Sequence, residues 1–313
     1  MKAIQLHTFG GNDVLGYEEV SEPSLKLGDV LVQTHAAGIN PIDWKTCSGG
    51  GAAPFIGELP FIPGWEFSGT VMACGADVAD YQTADRVCGF IHFPARAGCF
   101  AEQIAAPAAS LARVPENVDM NVAAALPLAG LTAWQALFEG ANLQPKQRIL
   151  ILAAAGGVGH LAVQLAAHKN ATVIGTASAP KHAYLRELGC HEVIDYQAAN
   201  VADVIDPVDV ILDCVGGQHA INALPALKAD GVMVTLPTVT KDEVIAAGEA
   251  TGRKVLSMRA VPNAKQLAQM LSLAASGDLV LSVAAEYKPE QLGEAFDQIA
   301  SGRTQGKLVL RFK

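Results

Sequence analysis

Over the first 121 residues the apolar positions fall in short runs with no sustained helical period. Residues 2–6, 29–37, 66–74, 85–90 and 101–106 read as strands, and Gly10, Gly11, Pro23, Gly28, Gly38, Gly57 and Gly75 punctuate them as turns. Many short strands separated by glycine turns predict a small barrel-like β domain. From Val122 the texture changes: the stretch AAALPLAGLTAWQALFE predicts two Ala/Leu helices about Pro127 and Gly130. Apolar runs at residues 149–153, 172–176, 192–195, 208–213, 231–235 and 254–258 then alternate with helical segments, the pattern of a doubly wound parallel sheet of about six strands. Beyond Asn263 the chain reads as a helix (AKQLAQMLSLAASG), a strand at 280–285, a helix at 289–301 and a strand at 307–312. The parallel sheet is complete before this tail begins, so the tail is expected to return to the β domain. The predicted organisation is a β domain over residues 1–121, an inserted doubly wound domain over 122–262 and a return over 263–313.

Composition narrows the classes of function. The chain has 313 residues, half of them apolar and 17% charged, which is ample for two buried cores and unlike a disordered chain. A net charge of −9 argues against a nucleic-acid partner. The six cysteines are scattered without a C-x-x-C pair, as reduced thiols of a cytosol are, and do not suggest a disulfide frame or a zinc knot. The start, MKAIQLHTFGGND, has no apolar signal region, and no apolar run reaches the length of a membrane span. The expectation is a soluble, cytoplasmic protein with neither membrane nor nucleic-acid partner.

The most informative stretch lies at residues 148–178, RILILAAAGGVGHLAVQLAAHKNATVIGTAS. It reads as strand, glycine-dense turn, helix and second strand. Without a side chain at Gly156 the backbone can approach a diphosphate closely, and Gly159 lets the helix pack tightly on the strand. The free N–H groups of the first helical turn and the positive end of the helix dipole then face the phosphates, with Ala155, Gly156, Gly157, Val158 and Gly159 as the cradle. The spacing is A-x-x-G-x-x-G, looser than G-x-G-x-x-G. An NAD site usually places a carboxylate about 20 residues downstream for the ribose 2′-hydroxyl. Here Gly175, Thr176, Ala177 and Ser178 stand at that point, with Lys181 just beyond. A hydroxyl and an ammonium suit a 2′-phosphate, so the expected cofactor is NADP(H). Cys214, Val215 and Gly216 follow the fourth strand of the domain, at the sheet edge where such folds bind ligand.

Four further stretches carry a family likeness: AAGINPIDWKTCSGG (residues 36–50), IPGWEFSGTV (62–71), ALPLAGLTAWQAL (125–137) and QGKLVLRF (305–312). Together with the AAAGGVG turn and the domain order, the chain resembles the medium-chain dehydrogenase/reductase superfamily, in its zinc-free quinone oxidoreductase branch, over essentially its whole length. The resemblance implies an α/β fold in which a Rossmann sheet is inserted into a GroES-like β-barrel catalytic domain. It also implies that Thr132 lies near the nicotinamide, that Tyr196 contacts the 2′-phosphate with Ser178 and Lys181, and that Gly306 and Lys307 border the cofactor. Relatives dimerise through the edges of their cofactor sheets, which implies a homodimer with residues 254–258 as the edge.

The chemistry is argued from the same positions. Zinc members of the superfamily place a Cys where this chain has Asn40 and a His where it has Trp65. Neither amide nor indole is a zinc ligand, and Glu66 alone makes no site, so no metal is expected. What remains is hydride transfer to an electron-poor acceptor, a quinone or an α,β-unsaturated carbonyl, followed by protonation. The candidate catalytic residues are Asn40, whose amide can orient a carbonyl or the nicotinamide ribose, with Asp43 and Lys45. Read as an extended strand, this segment puts Asp43 and Lys45 on one face. Several relatives use a tyrosine in the following loop to assist protonation. None occurs between Asn40 and Gly64, which leaves Lys45 or water as the proton source. Cys47 reads as a reactive thiol or as a small apolar filler. Two alternatives stay open from sequence: a catalytically silent NADPH-binding sensor or scaffold, and an enoyl-thioester reductase.

Overall fold

A computed structural model describes residues 1–312; Lys313, the last residue of the expected return, lies outside the described residues. The chain opens with an antiparallel pair, β1 (Lys2–Gln5) and β2 (Gly16–Glu19), the second of which the sequence reading did not anticipate. In β3 (Asp29–Ile39) every second side chain from Val30 to Ala36 is buried, the period of a strand with one face on a core. From Ala36 to Ile39 both faces are covered. There follow α1 (Pro41–Cys47), β4 (Glu66–Cys74), β5 (Arg86–Phe90), β6 (Gln103–Pro107), β7 (Leu111–Arg113), α2 (Met120–Ala125) and α3 (Pro127–Trp134).

Residues 41–47 correct the extended reading of Asn40 to Lys45. Asn40 caps the helix, Pro41 occupies its first position, and the Asp43 carboxylate reaches back to accept the Asn40 N–H at 2.6 Å. Asn-Pro followed by an acid at the third helical position is a helix start, and these local bonds outweigh the apolar alternation.

Alternation of strand and helix then resumes with β8 (Arg148–Ile151), α4 (Gly159–His168), β9 (Thr172–Thr176), α5 (His182–Glu187), β10 (Glu192–Ile194), β11 (Val208–Asp213), α6 (Gly217–Ala223), β12 (Leu227–Thr235), α7 (Lys241–Ala250) and β13 (Lys254–Ser257). These strands form a six-stranded parallel sheet in the order β10-β9-β8-β11-β12-β13. Counted within the sheet, this is 3-2-1-4-5-6, the order of a Rossmann fold. Its central strands read as continuous apolar runs because helices cover both faces; Leu150, Ile174, Val208, Ile211, Leu224, Leu227 and Met233 share one core cluster.

The tail comprises α8 (Ala264–Ser276), β14 (Val283–Tyr287), α9 (Leu292–Ala300) and β15 (Lys307–Arg311). Asn263 caps α8 by accepting the Gln266 N–H at 3.1 Å, and Gly277 ends it in the left-handed conformation. The strand expected at 280–285 starts later because Val280 is otherwise engaged. The Gln164 amide on α4 donates to its carbonyl at 2.8 Å and accepts its N–H at 2.7 Å.

The chain divides into two compact units. One holds Met1–Leu131, Val261–Gly277 and the segment from Leu281 onward; the other holds Thr132–Ala260 with Asp278–Val280. In the first unit a seven-stranded sheet runs β14-β15-β3-β4-β5-β7, with β6 also paired to β3. β3 is antiparallel to both β4 and β15, with Ala36 opposite Ser68 and Ile39 opposite Leu308. The carboxyl end of β3 therefore meets the amino ends of both neighbours. Val30, Val32, Phe67, Val71, Val87, Ile91 and Leu111 form a core cluster of this unit. Among the described residues no helix is long and apolar enough to cross a membrane.

Candidate active site

In the second unit, β8 runs into the glycine turn. Ala153 stands in the left-handed region with φ 52°, and its N–H donates to the Thr176 hydroxyl at 3.1 Å. The Ala154 N–H donates to the Thr176 carbonyl at 3.0 Å, so the turn is tied to the end of β9. A Cβ at Gly159 would stand 2.8 Å from backbone atoms of Ala154, and one at Gly156 would lie 3.2 Å from the Ala153 carbonyl. No side chain fits at Gly159 while α4 lies where it does, and the segment from Gly156 to Val158 is left partly exposed. Ala155 is buried behind it. A bare main-chain loop leading into a helix N-terminus suits a dinucleotide diphosphate.

Because the six strands are parallel, their carboxyl ends share one edge. Strand order sets out along it Tyr196 beyond β10, Ser178 and Lys181 beyond β9, the glycine turn beyond β8, and Cys214, Val215 and Gly216 beyond β11. Ser178 and Lys181 are half-buried, and burial lowers the pKa of the Lys181 ammonium. Tyr196 is exposed, with its ring edge-on to His219 of α6 at 6.3 Å. A Cβ at Gly175 would lie 2.8 Å from Ala154 Cβ and from Cys190 Sγ, so the end of β9 has no room for a carboxylate at that position. Thr132 lies within α3 and is partly exposed. The Cys214 thiol is pushed well up by burial and by the neighbouring Asp213.

Asp213 escaped the sequence reading. Its buried carboxylate accepts the N–H groups of Val215 at 2.9 Å and Gly216 at 2.8 Å, and the Thr235 hydroxyl at 2.6 Å. It thereby shapes the turn that carries Cys214, Val215 and Gly216. The available signal was an aspartate followed closely by two glycines at a strand end, the composition of a turn in which Asp binds the backbone two residues on.

In the first unit the antiparallel strands gather a polar cluster at the end of β3. Asn40, Asp43, Glu66 and Lys307 are each at most 3% exposed. Glu66 Oε1 accepts Asn40 Nδ2 at 2.6 Å and the Lys307 ammonium at 2.9 Å, while Oε2 accepts the Leu128 N–H at 2.6 Å. Lys307 also donates to Asn40 Oδ1 and, at 3.2 Å, to the Ile39 carbonyl. Gly38 makes the space: a Cβ there would lie 2.6 Å from Glu66 Cδ and 2.7 Å from the Ala124 carbonyl. Gly306 adopts φ 71° and lets β15 begin with the Lys307 N–H on the Ser282 carbonyl at 2.8 Å.

Asp43 is fully buried, and burial foremost, with the Glu66 carboxylate adding, pushes its pKa up to about 8 against the opposing hydrogen bonds of Asn40 and the charge of Lys307. Its Oδ1 is buried without a hydrogen-bond partner among the described residues. The cluster thus brings Asn40 and Asp43 together. Lys45 is directed elsewhere, its ammonium 5.7 Å from the centre of the Trp44 ring. Cys47 is buried and its thiol is pushed well up by that burial, as a packing residue would be. Glu66 and Lys307 were visible only singly in the sequence; no local spacing joins residues 40, 66 and 307.

A zinc ion does not suit this donor set. The Asn40 amide and the Glu66 carboxylate are committed to each other and to Lys307, and the Trp65 indole N–H donates to the Ala95 carbonyl at 2.7 Å. Among the described residues no group of three His, Cys, Asp or Glu side chains is placed to hold a metal ion.

Comparison with known proteins completes the description. Residues 26–116 match the model of the alcohol dehydrogenase GroES-like domain, and residues 188–310 that of the zinc-binding dehydrogenase family. The structure of the quinone oxidoreductase from Coxiella burnetii is similar with a TM-score of 0.96 and 35% identity, covering 100% of this chain and 99% of that one. The Escherichia coli quinone oxidoreductase complexed with NADPH superposes with a TM-score of 0.87 at 26% identity, over 99% of this chain and 100% of that one. The 2-methylene-furan-3-one reductase of Solanum lycopersicum is 33% identical over 99% of this chain and 79% of its own length.

Proposed function

Because the chain belongs to the medium-chain dehydrogenase/reductase superfamily, in its quinone oxidoreductase-like branch, and so is a nicotinamide-dependent oxidoreductase of a small molecule, we propose that it reduces quinones or α,β-unsaturated carbonyls with NADPH and without zinc. The observation that carries this reading is the carboxyl edge of the parallel sheet. A side-chain-free turn there is followed, at the end of β9, by Ser178 and Lys181 where an NAD site keeps a carboxylate.

The backbone from Ala155 to Gly159 would bind the diphosphate, and Ser178, Lys181 and Tyr196 the 2′-phosphate. Thr132, with Cys214, Val215 and Gly216, would border the nicotinamide. When bound, NADPH supplies the hydride. Asn40, held by Glu66 and Lys307, would orient the acceptor carbonyl through its amide. The electron pair displaced by reduction gathers on the acceptor oxygen, which needs a proton. Asp43 is the group that holds one near neutrality. Since Oδ2 accepts the Asn40 N–H, the proton of the neutral acid belongs on the unpartnered Oδ1. The edge strand β13, paired among the described residues with β12 alone, is the proposed contact of a homodimer.

The test is NADPH oxidation by the purified protein with phenanthrenequinone and a panel of enones. Turnover with one of them is expected. Tight NADPH binding without turnover on any acceptor would sink the reading.

A further inference from the structure

Three segments remote in sequence bring charge to one point inside the first unit. Lys307 is 3% exposed and Glu66 is fully buried. A buried ammonium and carboxylate give up their hydration, and pairing compensates only where the remaining hydrogen-bonding capacity is also met. Here it is met. The three ammonium hydrogens have three acceptors, the Ile39 carbonyl, Asn40 Oδ1 and Glu66 Oε1, and both Glu66 oxygens have donors. Of the trio, Asn40 also reaches into its own helix, where its side chain faces the Asp43 N–H across the capping box and shares a hydrogen bond with the Asp43 carboxyl.

The arrangement also distinguishes the two ends of that amide. Its oxygen faces a cation and its nitrogen an anion. A flipped amide would set N–H groups against the ammonium and the oxygen against the carboxylate, two repulsions in place of two attractions.

We infer that Lys307 is a positioning residue for Asn40: its ammonium, shared between Asn40 Oδ1 and Glu66 Oε1, locks the carboxamide in the single orientation that turns its nitrogen, not its oxygen, toward the acceptor carbonyl. This rests on the reading in which Asn40 meets the substrate, and it differs from the cofactor contact that family resemblance implies for Lys307. Lys307 acts through Asn40, and the Glu66 carboxylate supplies the counter-charge that keeps the ammonium buried.

The experiment compares wild type, Lys307→Met, Lys307→Arg and the double variant Glu66→Gln/Lys307→Met. It measures kcat and KM with phenanthrenequinone, NADPH dissociation by fluorescence titration, and melting temperature. Loss of orientation predicts that kcat in Lys307→Met falls by about 10²-fold, the scale of a small misplacement at a reacting centre, while the NADPH dissociation constant stays put. Lys307→Arg, which retains the cation, recovers part of kcat. The double variant removes the unpaired buried carboxylate, so it recovers melting temperature but not kcat, and it serves as the assay protein if Lys307→Met does not fold. Recovery of both in the double variant would make Lys307 a structural residue only and overturn the inference. So would a raised NADPH dissociation constant with kcat preserved, the mark of a cofactor contact. A wild type silent on every quinone and enone would instead remove the functional reading, and the inference with it; an active wild type with either of the former results removes the inference alone.

Discussion

The turn after β8 works through side chains that are missing, whereas the cluster at the end of β3 works through side chains that must all be present. At Gly159 a single added carbon meets backbone 2.8 Å away, and nothing charged is needed to shape the loop. At Glu66 a carboxylate, an ammonium and an amide bond one another, each at most 3% exposed. The first arrangement is local, tied to the end of β9 by the Thr176 hydroxyl and carbonyl. The second is a closed circuit in which the loss of one member strands another.

The sharpest way to break this contrast is Glu66→Ala, which leaves the Lys307 ammonium buried without its counter-charge. It should cost about 3–5 kcal/mol of stability in urea unfolding. A cost below about 1 kcal/mol, as for a surface pair, would mean the cluster is not closed.

Asp43 gives the next effect, spread over pH. Between its ordinary value of 3.8 and about 8 the folded protein holds one proton more than the unfolded chain. Stability from this group is therefore complete below the lower value, falls as pH rises through the window, and is level above it, with a slope of at most about 1.4 kcal/mol per pH unit. Asp43→Asn should remove that contribution while keeping an acceptor for the Asn40 N–H. If Asp43 supplies the proton, wild-type kcat should also decline above about pH 8 and that decline should vanish in the variant. Parallel stability curves for the two proteins would refute the buried-acid assignment.

Gly159→Ala comes third, with an overpacking cost of about 1–3 kcal/mol and a matching loss of NADPH affinity, read by unfolding and by titration. Undiminished affinity would show that the turn has more room than its backbone distances allow. Smaller again, Lys181→Glu should raise the NADPH Michaelis constant by about tenfold, the worth of one charge-assisted hydrogen bond at a half-buried amine, while leaving that for NADH nearly unchanged. Equal increases for both would misplace the 2′-phosphate. Last, treatment with a chelator should change nothing; a loss of activity that zinc restores would put a metal where the cluster has none to spare.

The same contrast explains what could be read from the sequence. The parallel sheet and its turn were legible because their signals are consecutive: an apolar run, glycines at fixed offsets, a helix, and a strand without an acid at its end. Residues 172–176 and 208–213 were bounded as the structure has them. The cluster was only half legible. Asn40 stood out for its chemistry, but Asn40, Glu66 and Lys307 meet only because β3 pairs antiparallel with both β4 and β15, and such long-range pairing leaves no mark in local spacing. The helical start at Pro41 is written in the sequence as Asn, Pro and Asp, but the apolar alternation beside it has the period of a strand, and only the cap bonds decide between the two. Lys45 points away from Asp43 for the same reason, since two residues on a helix lie on nearly opposite sides.

The Gln164 clamp on Val280 bears on how the nucleotide-binding half could be excised. A fragment ending at Ala260 would keep every strand of its sheet yet lose residues 278–280, which cluster with it. The amide that grips Val280 would then keep only its bond to the His160 carbonyl, on the very helix that begins at the phosphate turn. Minimal versions of this half should therefore carry a short grafted peptide bearing those three residues, even though the chain reaches them only after a helix of the other unit.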